Sequence, residues 1–395
     1  MKLEVLKNTI QSCNINFLIG SGLSLPYLIT LGNIETLLEA LEKITATAEE
    51  KNIVKASLYK IYFEEVMLKN LKSYKPIGDD EENYKTTLTN YNAFIKWLNS
   101  ILLYRYMPIH SKQINLFTTN IDLFFEKAFE STMVESNDGF KGRLEPVFSL
   151  SNFQKSYRKT SLHYKNTSEI PVFNLLKLHG SINWKKEKEQ IFLSNFSELK
   201  KVEESLSKLS SSSFLKITND SKIEDLIKEA SKKLDSIDND KLLQFFNAYE
   251  HLQIVNPTKE KFKTTLLNNY YYELLRLFAN EMEKENTLLF ALGFSFADEH
   301  IREITIRAVN SNPTLQLYVI AYHEQAKIDI EDALGFSDNR LLNGNVQVID
   351  PKTFYNINKE DESISSFDNF SFDNINKMIF ELISNRSNPT FKIDG

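Results

Sequence analysis

The stretch "NINFLIGSGLSLP", Asn14–Pro26, reads as a buried strand that stops abruptly in a turn built from Gly20, Ser21, Gly22, Leu23 and Ser24. The whole chain of 395 residues contains only 11 glycines, and two of them fall here within three positions. A strand, a glycine-bearing turn and then a helix is the arrangement in which backbone can approach a phosphate and a helix end can face it. The stretch lacks the full six-position Gly-x-Gly-x-x-Gly pattern, because Leu25 takes the last place. A plain tight turn explains it nearly as well.

Other segments repeat the theme of an apolar run ending in polar residues. "QINLFTTNID", Gln113–Asp122, closes on Thr118, Thr119, Asn120 and Asp122. Helix capping accounts for one such residue, not for four. "NLLKLHG", Asn174–Gly180, ends in His179, which taken singly reads as a hydrogen-bonded structural histidine. "TLLFALGFSFADEHI", Thr287–Ile301, ends in a Gly293-Phe294-Ser295 turn, and Asp298 and Glu299 suit the first turn of a helix. "LQLYVIAY", Leu315–Tyr322, and "NVQVID", Asn345–Asp350, add two further strands. Continuous apolar strands alternating with helical patterns predict a Rossmann-like parallel sheet with helices on both faces. In such sheets ligands bind beyond the carboxyl ends of the strands, where all these polar residues stand.

The remaining sequence is mostly helical. Residues 3–13 read as a short helix. From Asn33 to about Pro108, "IETLLEALEKI" and "NAFIKWLNSILLYRY" place apolar residues at helical spacing, with a polar break at Pro76–Asn83. Between Lys185 and about Leu252 the composition turns rich in Lys, Glu and Ser, and "SKIEDLIKEASKKLDSI" is again helical. The expected organisation is a Rossmann-like domain starting at 1–32, continuing at 111–184 and completed at 253–350. Helical insertions occupy 33–110 and 185–252, and a tail with a helix occupies 351–395.

Composition bounds the function. The net charge of −6 argues against direct nucleic-acid binding by the chain as a whole, while leaving room for a local basic patch. The single cysteine, Cys13, excludes a multi-cysteine zinc site, so no metal is expected. No apolar run approaches a membrane span, and the amphipathic N-terminus is unlike a signal peptide, so the expected location is cytoplasmic.

Taken together and in order, the four pieces resemble the sirtuin family, in which a Gly-Ala-Gly-x-Ser loop, a Thr-Gln-Asn-Ile-Asp segment, a His-Gly pair and a Gly-x-Ser turn line one NAD pocket. Three departures accompany the resemblance. The zinc-ribbon cysteines of sirtuin deacylases are absent, Thr119 replaces Gln, and "LYVIAYHE" lacks the Asn used near the adenosine ribose. "NLLKLHGSINW" and "ALGFSFADEHI" are closer to the sirtuin-like NADases of bacterial antiphage defence, including those paired with a HerA-type hexameric ATPase.

The resemblance implies NAD+ as substrate and cleavage to ADP-ribose and nicotinamide. It assigns Asn120, His179 and Asp122 to catalysis. It assigns Gly20, Ser21, Gly22, Ser24, Thr118, Gly293 and Ser295 to holding NAD+. It implies a homo-oligomer and a HerA-type ATPase partner, with the two helical insertions as docking surfaces. A zinc-free deacylase or ADP-ribosyltransferase and a non-catalytic NAD or ADP-ribose sensor are the alternatives.

Overall fold

The computed structural model of the chain describes residues 1–30, 32–71, 74–105, 111–153, 155–218, 220–234, 237–256 and 269–387. The expected boundary at residue 110 lies outside these residues, as do 257–268 within the last sheet segment and 388–395 of the tail.

Seven strands form one sheet: β1 (Asn14–Ile19), β2 (Gln113–Thr118), β3 (Glu135–Asn137), β4 (Val172–Lys177), β5 (Thr287–Leu292), β6 (Gln316–Ile320) and β7 (Val346–Ile349). Their order across the sheet is β7-β6-β5-β1-β2-β4-β3, and every neighbouring pair is parallel. The chain first builds outward from β1 on one side, then returns to its other side at β5. That reversal opens a crevice beyond the carboxyl end of β1.

The strands are apolar because both faces are covered. Ile15, Phe17 and Ile19 of β1 enter one core with the helices Leu3–Gln11 and Asp79–Leu103. Leu18 enters the other core, with helices Asn269–Met282 and Glu299–Ser311. Phe17 stacks on Phe290 of β5 at 5.2 Å. Register is further pinned by a feature that hydropathy hides. Asn16, Asn115, Asn174 and Asn137 stand side by side on β1, β2, β4 and β3. Asn115 Nδ2 donates to Asn16 Oδ1 at 2.8 Å, and Asn174 Nδ2 to Asn115 Oδ1 at 2.8 Å. A slip of one residue would strand these buried or half-buried amides against apolar neighbours, so the ladder fixes which residues end each strand.

The two helical segments on either side of β2–β4 pack on each other. Tyr59 stacks on Tyr249 at 4.2 Å, and Leu215 N–H donates to Ser57 Oγ at 2.9 Å. Helix Ala48–Tyr62 begins in a capping box of Thr47 and Glu50. Together with Gly32–Lys43 it forms a layer over one end of the sheet.

The 185–252 segment differs in its first part from a purely helical reading. Trp184–Glu187 and Gln190–Leu193 make a hairpin that joins Phe140–Lys141 and Val147–Phe148 in a small antiparallel sheet, and the helices follow from Ser197. Phe140, Phe148 and Trp184 cluster in that sheet. A separate two-stranded hairpin, Tyr157–Thr160 with Thr167–Ile170, projects from the surface. Among the described residues no helix is long and apolar enough to cross a membrane.

Candidate functional site

The crevice at the strand reversal is a cavity of about 720 Å³, within the range of small-molecule and cofactor sites. Loops from four strand ends converge on it. Gly20, Ser21, Gly22 and Ser24 follow β1, Thr119 to Asp122 follow β2, His179 follows β4, and Gly293 to Ser295 follow β5. The helical layer closes the opposite wall with Glu35, Glu39, Tyr62 and Val66.

The glycines have a structural reason. A Cβ on Gly20 would lie 2.3 Å from the Gly293 carbonyl oxygen, and one on Gly22 would lie 3.0 Å from Gly293 Cα. Gly293 itself has a φ of +59°, and Gly22 N–H donates to its carbonyl at 3.1 Å. The β1 and β5 loops therefore touch backbone to backbone, and only glycine allows that approach. Ser21–Ser24 then winds into one short 3₁₀ turn.

Behind this turn lies a hydrogen-bonded chain whose direction is determined. Ser24 Oγ donates to Asp122 Oδ2 at 2.7 Å, so its only proton is used. Tyr91 Oη, 2.9 Å away, must then donate to Ser24 Oγ. Burial pushes the Tyr91 phenol well above its ordinary range, and the Asp122 charge adds to that, so it stays protonated as a donor. Asp122 Oδ1 accepts from Phe124 N–H at 3.1 Å, holding the start of helix Phe124–Thr132. Asn120 Nδ2 donates to the Gly20 carbonyl at 3.2 Å and lies 3.3 Å from Ser24 Oγ. Its Oδ1 is buried and has no hydrogen-bond partner among the described residues. A buried acceptor without a donor is costly, and a ligand hydroxyl or water supplying one would relieve it.

His179 sits on the cavity wall with Nε2 3.1 Å from Asp298 Oδ2, the side chains being 17% and 10% exposed. Asp298 Oδ1 caps helix Glu299–Ser311 by accepting from His300 and Ile301 N–H at 3.1 and 3.2 Å. One carboxylate thus fixes a helix and a histidine together. With Nε2–H given to Asp298, Nδ1 is the ring nitrogen left to accept a proton. The neighbouring Gly180 has a φ of +75°, and its missing Cβ leaves room for the Gln253 carbonyl. Val255 N–H donates to the His179 carbonyl at 2.9 Å, so the histidine backbone is tied to the returning chain.

Beneath both loops lies Lys177, the last residue of β4, only 3% exposed. Its ammonium pairs with Glu126 at 2.7 Å, donates to Ser181 Oγ at 3.0 Å and also donates to the Asp122 carbonyl. It ties the Asn120–Asp122 loop to the turn carrying His179. Burial pushes the Glu126 carboxyl up, against the opposing pull of Lys177.

The expected site residues therefore divide. Gly20, Ser21, Gly22, Asn120, Asp122, His179, Gly293 and Ser295 line one cavity. Ser24 also borders it, but its hydroxyl is committed inward to Asp122. Thr118 is fully buried behind the loop, where its Oγ1 donates to the Ile19 carbonyl and accepts from Asn120 N–H, and Thr119 lines the cavity in its place. Tyr91, Lys177 and the pairing of Asp298 with His179 had no signature in the sequence beyond an apolar helix, a strand end and a helix cap. Among the described residues, no group of three or more His, Cys, Asp or Glu is placed to hold a metal ion. No protein-family model matches the chain, and no curated protein matches it.

Proposed function

We propose that this cavity hydrolyses NAD+ at its nicotinamide–ribose bond, in the manner of a sirtuin-like NAD+ glycohydrolase. The observation that carries the reading is the meeting, in one cavity at the strand reversal, of Asp298-held His179 with Asn120, whose amide is fixed and whose Oδ1 lacks a donor among the described residues.

In the proposed reaction the Gly20–Ser24 turn and the Gly293–Ser295 turn hold the pyrophosphate and adenosine side. Asn120 orients the ribose hydroxyls and a water near C1′. As the C1′–N bond breaks, its electron pair returns to the pyridinium nitrogen, and nicotinamide leaves neutral without needing an acid. The water oxygen bonds to C1′, and its proton passes to His179 Nδ1 and then to solvent. Asp122 keeps its place as the organiser of the loop, through Ser24 and Tyr91. In this reading the activity depletes NAD+ in antiphage defence, under the control of a HerA-type ATPase.

The test is mass spectrometry of the purified chain incubated with NAD+, with and without such an ATPase. Free ADP-ribose and nicotinamide in equal amounts are expected. Their disappearance is expected in folded His179→Ala and Asn120→Ala variants, which lose about 10²–10⁴ in rate. Undiminished turnover by folded His179→Ala overturns the assignment. An O-acyl-ADP-ribose product, or labelled protein, overturns the hydrolase reading in favour of acyl or ADP-ribosyl transfer.

A further inference from the structure

The helical layer that closes the cavity brings to it one polar group that the reaction above leaves idle. Tyr62 ends helix Ala48–Tyr62 and is only 3% exposed, yet it lines the cavity together with Val66. The helix changes pitch directly after it: Phe63–Met67 is a turn of π-helix, a local widening found frequently at functional sites. The Tyr62 hydroxyl gives and takes no hydrogen bond among the described residues. The neighbouring Tyr249 hydroxyl is likewise buried without a partner there, so the two phenols do not satisfy each other. Burial pushes the Tyr62 phenol up, and Asp122 and Glu35 add to that, so it stays protonated. It is an unused donor in the cavity wall, as Asn120 Oδ1 is an unused acceptor in the loop opposite.

The two walls are held together. Asn70, 3% exposed, donates through Nδ2 to the Val66 carbonyl at 2.7 Å and accepts at Oδ1 from Leu123 N–H at 3.2 Å. One buried amide thus ties the turn after Tyr62 to the loop of Asn120 and Asp122. Donor and acceptor keep a set spacing, which is what positioning one ligand between them requires.

The surroundings decide what the hydroxyl takes. A phosphate oxygen is disfavoured, because the carboxylates of Asp122 and Glu35 act on the same position. A neutral carbonyl suits it, as does the apolar lining from Leu28, Val66 and Ile121. NAD+ has a single carbonyl, that of the nicotinamide carboxamide. Asp122 cannot meet it, since a carboxylate only accepts.

We propose that Tyr62 binds the leaving group: its hydroxyl donates to the carboxamide oxygen of nicotinamide and holds the ring with its C1′ bond toward Asn120. This rests on the NAD+-cleaving reading and adds to it a residue from the helical layer. The contact exists in the substrate and persists in the product, so it acts on binding more than on the barrier.

The experiment compares wild type with Tyr62→Phe, which loses one oxygen and keeps the ring, on three substrates. These are NAD+, its 3-acetylpyridine analogue, which keeps the carbonyl and lacks the NH₂, and its pyridine analogue, which has neither. kcat/KM falls about three- to tenfold on the first two, mostly through KM, as expected for one neutral hydrogen bond, and is unchanged on the third. Inhibition by nicotinamide weakens by the same factor. Denaturant unfolding of Tyr62→Phe shows no loss of stability, because the deleted hydroxyl had no partner. An equal fall on all three substrates, or none on NAD+, overturns the assignment and leaves NAD+ cleavage standing. A destabilised or misfolded Tyr62→Phe also overturns it, since the hydroxyl then serves the fold. Wild type that leaves all three substrates intact overturns the NAD+-cleaving reading and this assignment with it.

Discussion

Replacing Asp298 by Asn separates chemistry from structure at the centre of the site. The aspartate has two oxygens with two tasks: Oδ1 accepts from His300 and Ile301 N–H, and Oδ2 accepts from His179 Nε2. Asparagine has a single oxygen. The cap engages two donors against one, so the oxygen stays with the helix and the amide NH₂ turns to His179. Nε2 must then be the acceptor, the ring proton moves to Nδ1, and Nδ1 can no longer take a proton. Asn caps helices about as well as Asp, so unfolding stability should change by less than about 0.5 kcal/mol. Loss of a positioned base costs about 10²–10⁴ in rate, equivalent to about 2.7–5.4 kcal/mol of barrier. Asp298→Ala should lose the rate and also about 0.5–2 kcal/mol of stability with the cap. The assay pairs initial rates of nicotinamide release from NAD+ with denaturant unfolding of the same preparations. Wild-type turnover by folded Asp298→Asn refutes the assignment of Nδ1 as base. A loss of stability by Asp298→Asn equal to that of Asp298→Ala refutes the division of labour between the two oxygens.

Gly20→Ala should cost about 1–3 kcal/mol in denaturant unfolding and impair NAD+ turnover, because its Cβ meets Gly293 backbone and nothing there can yield without parting two loops. Gly32→Ala, where a Cβ meets nothing within 4 Å, should be close to neutral in the same measurement. Lys177→Met should destabilise by about 3 kcal/mol, the low end for a broken buried pair since Glu126 remains a quarter exposed, and Lys177→Met/Glu126→Gln should recover part of the loss. Burial pushes the Cys13 thiol up in spite of the nearby Arg105, so native protein at pH 7.5 should react slowly with iodoacetamide and unfolded protein quickly, read by mass.

The central strands were legible because burial on both faces leaves a continuous apolar run, as in "TLLFAL" of β5, whose six residues are all buried. What escaped were strands whose existence rests on pairing instead of hydropathy. Glu135–Asn137 is three polar residues made a strand by Asn137 standing beside Asn174. Trp184–Glu187 looks like the start of a charged helix until Gln190–Leu193 folds back on it. The strand-end position of Asn120 and His179 was readable, since it follows from where an apolar run stops. The partners that orient them were not. Tyr91 lies within a helix whose pattern explains it as core, and Asp298 is satisfied as a helix cap, so neither leaves a local conflict to notice. The glycines taught a different lesson: their scarcity marked the loop correctly, while the atom they make room for is a carbonyl of Gly293.

The charge of the cavity bears on how the proposed substrate would be held. Glu35, Glu39, Asp122, Asp298 and Glu299 line it, against Arg302 and two histidines, His179 and His300. Arg302 is itself turned to the Phe296 carbonyl at 3.0 Å. A pocket so composed gains little from Coulomb attraction to a pyrophosphate, and the anion must rely on what the Ser21–Ser24 turn leaves uncommitted, since Gly22 and Leu23 N–H are given to the Gly293 and Gly20 carbonyls. The same negative potential favours what the reaction creates, since positive charge moves from the pyridinium ring onto the ribose as the bond breaks. Carboxylates that repel the ground-state phosphates while stabilising a cationic sugar lower the barrier more than they lower the binding energy, which is the direction catalysis requires. Salt then acts with an unusual sign. Screening relieves the repulsion of the dianion, so KM for NAD+ should stay level or fall between about 50 and 200 mM salt, while kcat falls modestly. A KM that climbs steeply over that range would mean that cationic side chains hold the phosphates, and the anchoring assigned to the Gly20–Ser24 turn would be wrong.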